Sequence, residues 1–471
     1  MDRSGKTCSL AFKTRIYTCI LGLVLFFLPI LPVNAQERSP LILLTSFPDA
    51  LYQPFKTAFE KNNPDIELFV LNKKTSAAIS YIQDRQNHQV DLFWASAPDA
   101  FEVLKQSNDL EKLKTPGVAR NARNARIGGY PLNDPDGYYL GFAVSGYGIM
   151  WNTAYLKRHD LPEPESWNDL RKGIYENHLG LSAPSRSGTT HLIVEIILQS
   201  KGWDEGWRTL LEIGGNLATV TARSYGVRNG VEEGRFGAGL VIDFFGLMSK
   251  ASGHPVKFVY PEQTVMLPAN IAMVKGAKNP GEAARFIAFV MSDEGQKFLF
   301  QPAISRLPVR PEIYEFAPSG FPNPFKGVSR RDTLLFDSRL SRLRYHLVNA
   351  LFDQLVTYRL RELKDAWSLI HRAGKKLSRS NLPGMKKSLD KALDKARDLV
   401  FKIPVDERLS RNARVNAMFT RHKPGFAVAA GQLEFEAKWR KGALARYARA
   451  AQIAESVLMR LEAGADGQGI K

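Results

Sequence analysis

Residues 41–59 read LILLTSFPDALYQPFKTAF, and this stretch decides the fold. Leu41-Ile42-Leu43-Leu44 is an apolar run of strand length. Thr45-Ser46-Phe47-Pro48-Asp49 is a helix-start cluster with capping side chains and an early proline. Leu51, Phe55, Ala58 and Phe59 then recur at helical spacing. The same unit follows twice more. Ile66 to Leu71 reads as a strand, and Asn72-Lys73-Lys74-Thr75-Ser76 opens a helix. Asp91-Leu92-Phe93-Trp94 reads as a strand, and Ala95-Ser96-Ala97-Pro98-Asp99 opens a helix. Three strand–loop–helix units with cap-rich loops predict a parallel sheet. In such sheets the ligand lies beyond the carboxyl ends of the strands.

Further along, Gly141 to Trp151 (GFAVSGYGIMW) is an apolar, glycine-rich strand. Helical segments follow around Ser166–Leu170 and from Thr189 to Lys201. Strand-like runs return at Leu217–Thr221, Gly239–Asp243, Val256–Tyr260 and Ile271–Lys275. Helices are expected at Gly281–Met291 and Asp293–Phe300. The proline-rich residues 302–330 read as a linker wrapping the surface. From about Phe336 the strand signal disappears. Leu389, Leu393, Ala396, Val400 and Ile403 mark a helix face, and Gln432 to Leu461 is a long helix rich in alanine and arginine.

The net charge of +18 suggests a polyanionic partner until it is located along the chain. Residues 1–35 contribute +3 and residues 36–330 only +1, whereas residues 331–471 carry 29 basic and 15 acidic side chains. At 44% hydrophobic and 24% charged, the composition is globular and excludes a disordered chain. Arg3, Lys6, Lys13 and Arg15, the apolar run Ile16–Val33 and the small-residue site Val33-Asn34-Ala35 have the three parts of a secretory signal, with cleavage expected after Ala35. Both cysteines, Cys8 and Cys19, fall inside it. The mature chain then has no thiol for disulfides, catalysis or metal binding.

The order of elements, with the runs LILLTSFPDALYQPFKTAFEKNNPDIEL, VDLFWASAPDAF, GFAVSGYGIMWN, PESWNDL, LSAPSRSGTTHL, the VEEG-to-LVID stretch and NPGEAARFIAFVMSDEGQKFL, resembles bacterial periplasmic solute-binding proteins of ABC-type uptake systems. The likeness is to the branch with iron(III)-, hexose-phosphate- and phosphoglycerate-type members, and it covers roughly residues 40–315. It implies an α/β, two-lobed periplasmic binding protein (type II) fold with an appended C-terminal all-α segment. The expected division is signal peptide 1–35, first part of lobe 1 at 36–145, lobe 2 at 146–265, lobe 1 return and linker at 266–330, and basic helical extension at 331–471. Crossovers are expected near Gly141–Trp151 and Pro268–Lys275. Gly146 and Gly148 suit either a hinge or close backbone packing. The resemblance also implies a periplasmic protein that closes two lobes on a solute.

The loops that would face the cleft carry the candidate ligand contacts. Ser185-Arg186-Ser187-Gly188-Thr189-Thr190 opens a helix, where free N–H groups and hydroxyls favour an anion; it also reads as a plain N-cap. Thr45, Ser46, Lys73, Thr75, Ser76 and Ser96 hold matching places in the first lobe. Arg223, Ser224 and Tyr225 start another helix. Asp243 would bind a hydroxyl or amine, or cap the next helix. The set favours a small anionic, phosphorylated or carboxylated organic solute. Ferric iron is the rival ligand, but only Tyr225 stands where iron-binding relatives place adjacent tyrosines, and the pair Tyr138-Tyr139 precedes the crossover. No cofactor or resident metal is expected.

Enzyme motifs are missing. There is no HExxH, no GxSxG and no GxxxxGK[ST], and the eight histidines are scattered. Trp203 and Trp207 read as packing on a helix face. The expected partners are the small anionic solute and an ABC permease or membrane sensor kinase, with no nucleic acid. The mature chain is expected to be monomeric and not membrane-spanning. The basic extension reads as a solvated helical face or as a separable docking module whose deletion leaves ligand affinity intact. An interaction protein acting through that tail is the alternative from another class.

Overall fold

A computed structural model describes residues 38–84, 89–113, 125–127, 129–326, 334–380, 383–419 and 428–466. The expected export signal lies outside these residues. The chain begins with the three anticipated units: β1 (Ser39–Thr45), α1 (Asp49–Asn62), β2 (Ile66–Asn72), α2 (Thr75–Gln83), β3 (Leu92–Ala95) and α3 (Pro98–Gln106). β1 pairs in parallel with both β2 and β3. Leu41, Leu43, Phe55 and Phe59 are fully buried and join Phe47, Trp94 and Phe142 in one aromatic core. Phe55 and Phe142 meet the Trp94 ring edge-on at 5.1 and 4.9 Å. Burying each such ring contributes about 1.5–3 kcal/mol.

A short hairpin, β4 (Arg126–Ile127) and β5 (Tyr130–Pro131), precedes β6 (Tyr139–Asn152), all of whose residues are buried. The second lobe continues with α4 (Thr153–Arg158), β7 (Leu179–Ser182), α5 (Gly188–Lys201), α6 (Trp203–Gly215), β8 (Leu217–Thr221), α7 (Ser224–Glu232), β9 (Ala238–Ile242), α8 (Asp243–Ala251) and β10 (Val256–Val259). β11 (Met266–Met273), α9 (Pro280–Met291), α10 (Asp293–Phe298) and β12 (Leu307–Pro308) return to the first.

β6 belongs to both lobes. Its first half pairs antiparallel with β11 and β12, and its second half with β9 and β10. The strand order is therefore β2-β1-β3-β11-β6-β9-β7-β8. Gly146 and Gly148 lie where the two halves of β6 meet. A Cβ on Gly148 would sit 2.1 Å from the Val259 carbonyl oxygen, and one on Gly146 would sit 2.5 Å from the Tyr260 ring. Close approach of β10 and its following loop thus requires both glycines. The stretch read as a wrapping linker is in part structural: Leu307 and Pro308 add a strand to β6, and Arg306, Val309 and Ile313 are buried.

The C-terminal segment is helical, as expected: α11 (Ser338–Leu343), α12 (Tyr345–Leu355), α13 (Leu360–Arg379), α14 (Pro383–Phe401), α15 (Glu407–Ser410), α16 (Ala413–Ala417) and α17 (Ala430–Asp466). It does not keep a core to itself, which weighs against the reading of it as a separable module. Leu347, Leu351, Leu363, Trp367, Leu393 and Tyr447 share one continuous core with Trp203, Trp207 and Leu211 of α6. Trp367 lies so close to Gly215 that a Cβ there would stand 2.3 Å from its ring. The Trp203 indole N–H donates to the Val405 carbonyl at 2.8 Å. Trp203 and Trp207 are therefore packing residues, as their spacing suggested. Among the described residues, no helix is long and apolar enough to cross a membrane.

Candidate functional site at the lobe junction

The strand order gathers the first lobe's candidate loops at the carboxyl ends of three adjacent strands. Thr45 ends β1 and Ser46 and Phe47 follow it, Lys73 and Thr75 follow β2, and Ser96 follows β3. Thr45 is fully buried, and its hydroxyl already has both partners. It donates to the Trp94 carbonyl at 2.7 Å and accepts from the Phe47 N–H at 3.1 Å. The Lys73 ammonium lies 4.8 Å from the Tyr81 ring centre. Ser46 and Ser96 are half-buried, and Ser76 is the second residue of α2.

In the second lobe, Ser187 caps α5 by accepting from the Thr190 N–H at 3.2 Å, and Thr190 is buried against Ser182. Gly188 faces the first lobe: a Cβ there would meet the Ala97 Cβ at 4.0 Å. Thr189 is half-buried, whereas Ser185 and Arg186 turn toward Asp353 and Tyr358 of the helical segment. Arg223 precedes α7 and Ser224 begins it, with Tyr225 54% exposed. The structure therefore brings only part of the expected set to the junction.

Asp243 is at the junction and fully buried. It begins α8 and does not end β9. Its carboxylate accepts from the Gly146 N–H at 2.6 Å, the Tyr260 hydroxyl at 3.0 Å and the Phe244 N–H at 2.7 Å. Burial nonetheless raises its pKa to about 6.

The residue that sequence reasoning missed is Arg306. It is 2% exposed. Its guanidinium carbon lies 4.7 Å from the Phe47 ring centre in the first lobe and 3.8 Å from that of Phe244 in the second. Its Nε and Nη1 have no hydrogen-bond partner among the described residues. β12 pairs Leu307 with Val144. One step beyond that pairing sets Arg306 level with Ser145, whose buried hydroxyl also lacks a partner among the described residues. Both amide atoms of Asn270, on β11, are likewise buried and unpartnered. Burial lowers the Arg306 pKa to about 10, with Asp243 and Tyr147 opposing the shift, so the side chain stays cationic at neutral pH. An unpaired buried cation with free donors costs the fold stability unless an anion meets it.

Asp99, at the start of α3, is one of the first lobe's buried acids. Burial raises its pKa to about 7, with Ser341 of the helical segment opposing. Its folded pKa exceeds the unfolded carboxylate value, so the folded state holds the proton longer. Its contribution to stability is present at low pH and is lost as pH rises from about 4 to about 7. Urea denaturation of the protein and of Asp99→Asn should show the difference between them drifting against the parent protein over that window, then levelling. A constant difference would contradict the assignment.

The comparisons with known proteins agree with this architecture. Residues 87–318 match the family described as bacterial extracellular solute-binding protein. The chain is 30% identical over 388 residues to the phosphoglycerate transport regulatory protein PgtC of Salmonella typhimurium, covering 80% of this chain and 89% of the relative. That span exceeds what the 330 residues before the helical segment supply, so the match reaches into that segment. The fructose-6-phosphate-bound binding protein AfuA of Actinobacillus pleuropneumoniae superposes with a TM-score of 0.57 at 17% identity, covering 70% of this chain and 98% of its own. Iron-bound HitA of Pseudomonas aeruginosa gives 0.53 at 19% identity, covering 64% and 94%. A two-lobed core with opposed loops, joined by one shared strand and matched along most of a curated relative, places the chain among the bacterial extracellular solute-binding proteins.

Proposed function

We propose that the protein captures a small organic anion, phosphorylated or carboxylated, between its lobes, with the acid group on Arg306. The carrying observation is the buried guanidinium whose Nε and Nη1 find no partner, set between one aromatic ring from each lobe. A guanidinium fork matches the oxygens of a phosphate or carboxylate. Ser145 and Asn270 offer uncharged hydrogen-bonding groups suited to hydroxyls on the same solute. The name of the Salmonella relative and the sugar phosphate bound to AfuA support the phosphorylated class. The role is binding, not catalysis, and the captured solute is handed to an ABC permease or reported to a membrane sensor. A monomer in the periplasm suits either task.

A thermal-shift screen of the purified protein tests this reading. The panel is 2- and 3-phosphoglycerate, hexose phosphates, dicarboxylates, inorganic phosphate and ferric citrate. A fitting solute at a hundred times its Kd stabilises by about 2.7 kcal/mol, a shift of several degrees. Stabilisation by an organic anion supports the proposal. A response to ferric iron alone, or to none of the panel, overturns it.

A further inference from the structure

The helical segment does more than cover the second lobe, because α11 reaches across to the first. It rides on the second lobe through strong contacts. Arg344, at its C-terminal end, makes a buried two-pronged ion pair with Glu195 of α5, at 2.8 and 2.9 Å. His191 of α5 places Nδ1 2.9 Å from Asn349 Oδ1 and Nε2 3.2 Å from the Ser341 hydroxyl. Gln199 of α5 holds the backbone of Asp337 from both sides, donating at 3.1 Å and accepting at 2.8 Å.

The contacts of α11 with α3 of the first lobe are of another kind. Ser341 donates to Asp99 at 3.1 Å, and Arg342 pairs with Glu102 at 3.6 Å. Both partners in the Arg342–Glu102 pair keep about a fifth of their surface in solvent, at 20% and 22%. The Arg342–Glu102 pair can part into solvent, whereas the Arg344–Glu195 pair and the contacts of His191 with Asn349 and Ser341 are buried. Hinge motion between the lobes would therefore carry α11 with the second lobe and break its hold on α3.

We propose that α11 is a latch, carried by the second lobe, that grips Asp99 and Glu102 only when the lobes are closed and so sets the open–closed balance of the solute cleft. The proposal rests on the solute-binding reading, and it gives the helical segment a direct part in that cycle. A latch that favours closure raises apparent solute affinity by the same factor by which it raises the closed population.

Charge reversal across the pair tests it. Spin labels on exposed sites of the two lobes report interlobe distance by electron–electron resonance in the solute-free protein, so the readout does not depend on knowing the solute. Arg342→Glu sets two acids face to face and is expected to move the distances outward, with the closed-to-open ratio falling about fivefold. Glu102→Arg alone is expected to do the same. The double variant Glu102→Arg/Arg342→Glu restores the pair and should return the parent distribution, which separates a latch from general damage to the fold. Unchanged distances in both single variants, or a double variant as open as the singles, would overturn the latch. Failure of every solute in the thermal-shift screen, with these distance changes intact, would overturn the solute reading instead.

Discussion

Arg306→Gln is expected to abolish measurable solute binding while leaving the solute-free protein at least as heat-stable as its parent. Glutamine stops two atoms short of the terminal guanidinium nitrogens and carries no charge. Each hydrogen bond from a charged donor is worth about 1.5–3 kcal/mol. Losing two lowers affinity on the order of a hundred- to ten-thousandfold. The stability half of the prediction has the opposite sign. In the solute-free protein the guanidinium is buried with Nε and Nη1 unpartnered, which costs the fold. Asp243 loses the Coulombic support of the guanidinium but keeps three hydrogen-bond donors, because Gly146, Tyr260 and Phe244 all donate to its carboxylate. Titration calorimetry and thermal melts of the same two proteins read both effects. A variant that melts earlier yet binds as well as its parent would make Arg306 a structural residue.

Ending the chain at residue 330 is expected to prevent the second lobe from folding. The deletion strips α11–α17 from α6, whose Trp203, Trp207, Leu210 and Leu211 are buried in the shared core. Exposing each large side chain costs about 1.5–3 kcal/mol. A handful of them exceeds the roughly 5–15 kcal/mol that holds a typical domain together. The truncated protein should lack a cooperative melt and bind the dye ANS. Trp367→Ala is the graded version. It removes the ring that packs on Gly215 and Phe401 and should cost about 3–5 kcal/mol in denaturant unfolding. A truncated protein that melts cooperatively and keeps its solute affinity would restore the picture of a separable module.

The legibility of the chain follows from how each part stores its signal. The units β1 to α3 were readable because their apolar residues keep strand and helix periods and their loops carry caps. The helical segment was readable for the same reason, since Leu389, Leu393, Ala396 and Val400 keep a helical period and are buried. Its attachment was not readable, because an apolar helix face does not say what covers it. The high positive charge drew attention to the solvated side and away from the apolar one. Arg306 was hidden by its surroundings. It stands in a proline-rich stretch that reads as linker, and its burial depends on a two-residue strand too short to have a period. A lone arginine has no motif. The flanking buried residues Ile304, Leu307 and Val309 were the available hint. In the expected anion loop, Ser187 acts as the N-cap that was its plainer reading, and Arg186 turns to Asp353 and Tyr358 of the helical segment. The C-terminal segment that carries +14 in sequence shares its core with the second lobe and reaches the first through α11.

The most direct measurement is a crystal structure of the protein grown with the organic anion that stabilises it best. Acid oxygens of that solute are expected about 3 Å from Arg306 Nε and Nη1, between the rings of Phe47 and Phe244, with α11 seated on α3. A solute held elsewhere, with the Arg306 donors still unmet, would contradict it.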